Sequence, residues 1–133
     1  MDTRTQDIIR ECTARSDASS ISFPEIVMKL MDIGVEQYHA DLVRSEKTYY
    51  LPNGENLVTP ADKSEGIAPQ TFSPEDVAAA VRASQQGKIT YAEFCRRIVA
   101  AGCVSYVVSL AGRRAIYSGR TGDFHVEHFP QVA

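Results

Sequence analysis

The sequence predicts an α+β fold: two tandem α-α-β-β-β repeats that form one two-layer domain, an antiparallel sheet with helices packed on one face. Three observations predict it. Helical spacing of apolar residues gives way to a two-residue period just after a glycine, once at Gly34 and again at Gly102. The runs GVEQYHADL (34–42) and GCVSYVVSL (102–110) nearly repeat each other 68 positions apart. The echo also continues ungapped on both sides, pairing Phe23 with Tyr91, Leu30 with Ile98, Tyr49 with Tyr117, Gly54 with Gly122 and Val58 with Val126.

The elements follow in order. Thr5 and Ser73 are the N-cap candidates of the first helix in each half, and Pro74 suits the first helical position. Ile9, Cys12, Thr13 and Ser16 match Val77, Ala80, Val81 and Ser84 at helical spacing. The second helices open on SFPE (22–25) and TYAE (90–93), both with the pattern of a capping box. Phe23, Ile26, Val27, Leu30 and Met31 make one apolar stripe; Tyr91, Phe94, Cys95, Ile98 and Val99 make its counterpart. Gly34 and Gly102 then end the helices, and a positive φ is expected at both.

Strand periodicity follows. Tyr38, Ala40 and Leu42 alternate with His39 and Asp41, and Tyr106, Val108 and Leu110 with Val107 and Ser109. Second strands are expected near 47–51 and 113–118. Turns at PNGE and RTGD lead to third strands near 55–59 and 124–129. The repeats span about 5–59 and 73–129, with residues 60–72 as a Pro/Gly/Ser-rich linker inside a single 1–133 domain. A three-stranded meander is marginal alone, so two copies sharing a sheet is the stable solution.

Composition narrows the function. A length of 133 residues suits one domain with its own core, and a net charge of −3 signals neither nucleic-acid nor membrane binding. No apolar run reaches the roughly 18 residues of a membrane span, and the N-terminal residues lack a signal-peptide pattern. Three cysteines without C-x-x-C spacing point away from disulfides and structural zinc, toward a reducing cytoplasm. No cofactor or metal is expected. Charge divides unevenly: seven Lys+Arg against twelve Asp+Glu in residues 1–68, seven against five in residues 69–133. Arg96, Arg97, Arg113, Arg114 and Arg120 make the second half basic, a pattern compatible with an anionic site or with self-association of unlike faces.

Candidate site residues are His39, Asp41, Tyr49, Tyr117 and His125. His39 and Asp41 share one strand face, and His125 with Glu127 is expected on the matching face, which would make a polar patch. His125 and His128 point to opposite faces. The strand tyrosines could wall a pocket between the halves for a small apolar or aromatic ligand. Cys95 sits on the core stripe and is expected to be buried rather than nucleophilic.

The runs ASQQGKITYAEFCRRIVAAGCVSYVVSL (83–110) and GVEQYHADLVRSEKTYYLPNGENLVTP (34–60) resemble the bacterial YbcV-like family of unknown function, whose members often carry the label "phage envelope protein". The resemblance spans nearly the whole chain and implies no activity. Its members often carry a histidine near Lys47 and a tryptophan at Tyr106, where this chain departs. The expected function is therefore a small non-catalytic cytoplasmic binding or interaction module, its partner a small ligand, a protein or a second copy of the chain. The alternative is an enzyme or metal-dependent protein using His39, Asp41 and His125.

Overall fold

Asp2, rather than Thr5, caps the first helix: its carboxylate accepts the Thr5 N–H at 2.7 Å, and α1 runs Thr3–Asp17, starting earlier than expected. Thr5 is thus helical, because an aspartate at the preceding turn outcompetes it for the free N–H groups. In the computed structural model, which describes residues 1–63 and 66–130, α1 is followed by α2 (Phe23–Asp32), β1 (Gln37–Asp41), β2 (Glu46–Tyr50) and β3 (Asn56–Pro60). The second half is α3 (Pro74–Gln85), α4 (Tyr91–Ala100), β4 (Cys103–Ser109), β5 (Arg114–Gly119) and β6 (Phe124–His128). Residues 64 and 65 of the linker lie outside the described residues.

The capping chemistry differs between halves. Ser22 and Glu25 form the full reciprocal box, whereas Thr90 accepts the Glu93 N–H and Glu93 turns instead to Arg96 and Arg97. Two guanidiniums one turn ahead compete for the carboxylate that would have reached back. The apolar stripes also differ. Ile26, Val27 and Leu30 are buried but Met31 is exposed, while Phe94, Cys95, Ile98 and Val99 are all buried.

The six strands form one antiparallel sheet in the order β3-β2-β1-β4-β5-β6, so the two meanders join through β1 and β4. That join is self-complementary. Tyr38 lies opposite Val108, Ala40 opposite Tyr106, and His39 opposite Val107, its own counterpart in the echo. A local two-fold relation at His39 and Val107 therefore maps the pairing onto itself, as an isologous contact between two like units does. The other ladders agree: Tyr38–Tyr49 matches Tyr106–Tyr117, and Tyr49–Leu57 matches Tyr117–His125. Left-handed backbone positions also recur 68 residues apart, at Ser19 and Gly87, Gly34 and Gly102, Ser45 and Arg113, Gly54 and Gly122.

The helices cover one face of this sheet. Tyr38, Ala40, Tyr49, Tyr106, Val108, Ala115 and Tyr117 point into that layer and join Ile9, Leu30, Val77, Phe94 and Ile98 in a single core. The opposite face carries a transverse row of Val58, Thr48, His39, Val107, Ile116 and Val126. The linker also packs: Phe72 is buried, Gly119 lies against its ring, and the Ser73 N–H donates to the Ala101 carbonyl at 2.8 Å. Among the described residues no helix is long and apolar enough to cross a membrane.

Candidate functional site

A cavity of about 630 Å³ lies between the helix layer and the centre of the sheet, in the range of small-molecule sites. Both halves build it from corresponding positions: Ile21 with Ile89, Ser22 with Thr90, Phe23 with Tyr91, Ile26 with Phe94, Tyr38 with Tyr106, and Lys47 with Ala115. Tyr91, Phe94, Tyr106 and Tyr117 give it an aromatic wall, and Lys47, Lys88 and Glu127 bring charged groups to its lining. Phe94 meets Tyr106 and Tyr117 edge-on, with ring centroids 6.4 and 6.3 Å apart, the favoured arrangement for such rings. Tyr91 reaches in from the first turn of α4, whose N–H is held by Ser19 Oγ at 3.0 Å, a tie between the two halves. The Tyr91 and Tyr106 hydroxyls share a 2.6 Å hydrogen bond. Burial raises both phenols well above their ordinary pKa, so they stay protonated.

The pairing Lys47 with Ala115 breaks the symmetry. Lys47 is only 4% exposed, yet it forms no ion pair among the described residues. Its Nζ lies 4.5 Å from the centroid of the Tyr91 ring and 6.0 Å from that of Tyr38. Desolvation lowers its pKa, an effect partly opposed by the field of Asp17. No buried polar atom of the described residues lacks a partner. Lys47 lines this cavity and also a smaller pocket that includes Asp17, Asp62 and Cys95, so its amine, without a protein partner, is not wholly enclosed.

The residues singled out from sequence fall in different places. The register sets His39 opposite Thr48 and Val107 on the open face, and His125 opposite the core residue Tyr117 on the helix face. The expected patch of His39, Asp41, His125 and Glu127 is thus not formed. Its error was to assign a common face to strands whose registers had not been fixed. His39 Nε2 lies 3.2 Å from Gln37 Oε1, and desolvation lowers its pKa. Asp41 Oδ1 accepts the Val43 and Arg44 N–H groups at 3.0 and 2.9 Å, which shapes the β1–β2 turn. His125 Nε2 meets Glu127 Oε1 at 2.7 Å. Tyr49 lies beneath α1, where its hydroxyl and that of Thr59 both meet Thr13 Oγ1 at 2.8 Å. Tyr117 alone of the five lines the cavity, beside Glu127.

No group of three or more His, Cys, Asp or Glu residues among those described is arranged to hold a metal ion. The arginines of the second half do not converge: Arg96 and Arg97 engage Glu93, Arg113 lies over Phe129, and Arg120 donates to the Ala68 carbonyl. Sequence reasoning missed Lys47, although a signal was present. Lys47 and Tyr49 share one strand face by two-residue alternation, so an inward tyrosine implies an inward lysine.

Cys95 is buried, and desolvation pushes its thiol pKa up. It should react with thiol reagents orders of magnitude more slowly in the folded chain than in urea. Rapid labelling of the folded chain at Cys95 would show that helix α4 does not pack as described.

A family model described as "Protein of unknown function (DUF1398)" matches residues 6–127, from α1 to β6. No curated protein matches the chain.

Proposed function

The chain belongs to the DUF1398 family of unknown function, and from that premise we propose that it is a binding module for a small, largely apolar molecule held between its two halves. The carrying observation is the aromatic cavity, lined by corresponding residues of both halves. Open apolar clefts with a few polar groups at fixed places are the usual form of small-molecule sites. This one lies where corresponding residues of the two halves come together, which supports the reading.

Matched registers and matched left-handed positions support reading the halves as two fused copies of one unit, with divergence at Lys47 and Ala115 making the site one-sided. A non-catalytic role fits better than an enzyme built on His39, Asp41 and His125, since His125 lies on the helix face and the other two on the open face. Kinship with YbcV-like proteins rests on the run 83–110, and a cytoplasmic setting on three free cysteines.

A thermal-shift screen of small apolar compounds tests this reading, run on the wild type and on Ala115→Phe and Ala115→Leu, which narrow the cavity. Ligands that stabilise the wild type, by about 2.7 kcal/mol at a hundredfold excess over Kd, should lose that effect in the narrowed variants. Equal stabilisation of all three proteins would place binding elsewhere.

A further inference from the structure

We propose that Lys47 anchors the acid group of the bound molecule, so that the cavity takes a small aliphatic or aromatic monocarboxylate. This rests on the cavity being a ligand site and names the chemistry of its occupant. Three features converge on it.

The fold does not require a lysine here. Ala115 occupies the corresponding position in the second half, on a strand of matching register, and is buried without difficulty. Lys47 also makes no ion pair among the described residues, although it is buried. An amine in that position is a standing cost to stability unless something arrives to pair with it. Finally, Nζ sits by the Tyr91 and Tyr38 rings, and all three residues line the cavity.

The surroundings select the ligand's charge and orientation. Facing Lys47 are Asp17 and Cys12 from α1, Cys95 and Tyr91 from α4, and Tyr38 from β1. Asp17 Oδ2 accepts the Asp62 N–H at 3.2 Å, and its carboxylate stays outside ion-pair distance of Lys47 while its field reaches the amine. Of the two lysines that line the cavity Lys88 is exposed to solvent, and Lys47 is the buried one beside aromatic rings, so the desolvated end of the site offers a single positive charge. A phosphate, with more charge and three acceptor oxygens, needs several donors. Glu127 lines the cavity from β6, four strands away from β2, so a carboxylate is attracted at Lys47 and repelled at the far end. The apolar body then lies along Tyr106, Phe94 and Tyr117.

Matched acid and alcohol pairs test the proposal: 4-phenylbutyrate with 4-phenylbutanol, and octanoate with octanol, titrated by calorimetry at pH 7 into the wild type and Lys47→Met. Each acid should bind the wild type at least tenfold more tightly than its alcohol. In Lys47→Met the order should reverse, with alcohol binding kept, which also shows that the variant is folded. Equal binding of acid and alcohol to the wild type, or an acid preference that survives in Lys47→Met, overturns the role of Lys47 and leaves the cavity reading standing. Failure of all four compounds to bind overturns both.

Discussion

Gly102→Ala is expected to destabilise the protein by about 3 kcal/mol, roughly 2 kcal/mol more than Gly34→Ala. Both glycines sit in the left-handed region that ends a helix, with φ of 97° and 87°, so both substitutions carry the same backbone penalty of about 1 kcal/mol. The surroundings separate them. A Cβ on Gly34 meets nothing within 4 Å, whereas one on Gly102 would lie 2.4 Å from the Thr71 carbonyl oxygen and 2.9 Å from the Phe72 Cα. Those are backbone atoms, held by the Ser73 N–H bond to Ala101 and by the buried Phe72 ring, so they cannot give way cheaply. Urea denaturation of the two variants measures the difference. Equal losses would mean that the linker does not seat against α4 as described.

Lys47→Met should raise stability at pH 7 by about 1–3 kcal/mol, because it removes a buried amine that the fold leaves without a counter-ion. The gain should depend on pH. An unfolded lysine keeps its proton up to about 10.5, while the folded Lys47 releases it at lower pH because burial disfavours the ammonium. Between those two values the unfolded chain binds more protons, so this group's contribution to wild-type stability improves as pH rises. The advantage of Lys47→Met is therefore full below the folded pKa and shrinks as pH approaches 10.5. The buried tyrosines Tyr38, Tyr49 and Tyr106, whose pKa values are raised by causes that do not include Lys47, act in the opposite direction but equally in both proteins, and so cancel in the comparison. Thermal melts of the pair from pH 6 to 10 measure this. A destabilised Lys47→Met would show that the lysine is held by the fold itself.

Much of the architecture was legible because its signals are local. Capping residues, helical stripes and the glycines that end α2 and α4 lie within a few residues of what they specify, and each appears twice. The start of α1 was misplaced for the same reason: Asp2 and Thr5 both have good capping side chains, and only the competition between them decides. What stayed hidden depended on pairing between strands. Nothing in the sequence of β1 names β4 as its neighbour, and without that register His39 and His125 could not be assigned to opposite faces. Lys47 is not among the site residues read from sequence because lysine on a short strand usually reads as surface, although its alternation with Tyr49 points inward. Tyr91 enters the site from α4, and its approach to Lys47 is a product of tertiary packing alone.

The central claim is that the face of the sheet beneath the helices, not the open one, binds a small ligand. Intermolecular NOEs between 4-phenylbutyrate and methyl-labelled protein test it most directly, since the two faces carry different methyl groups. Contacts are predicted to Ile26, Val81 and Val108, which line the cavity. NOEs confined to Val58, Ile116 and Val126, which share the open face with His39, would contradict the account.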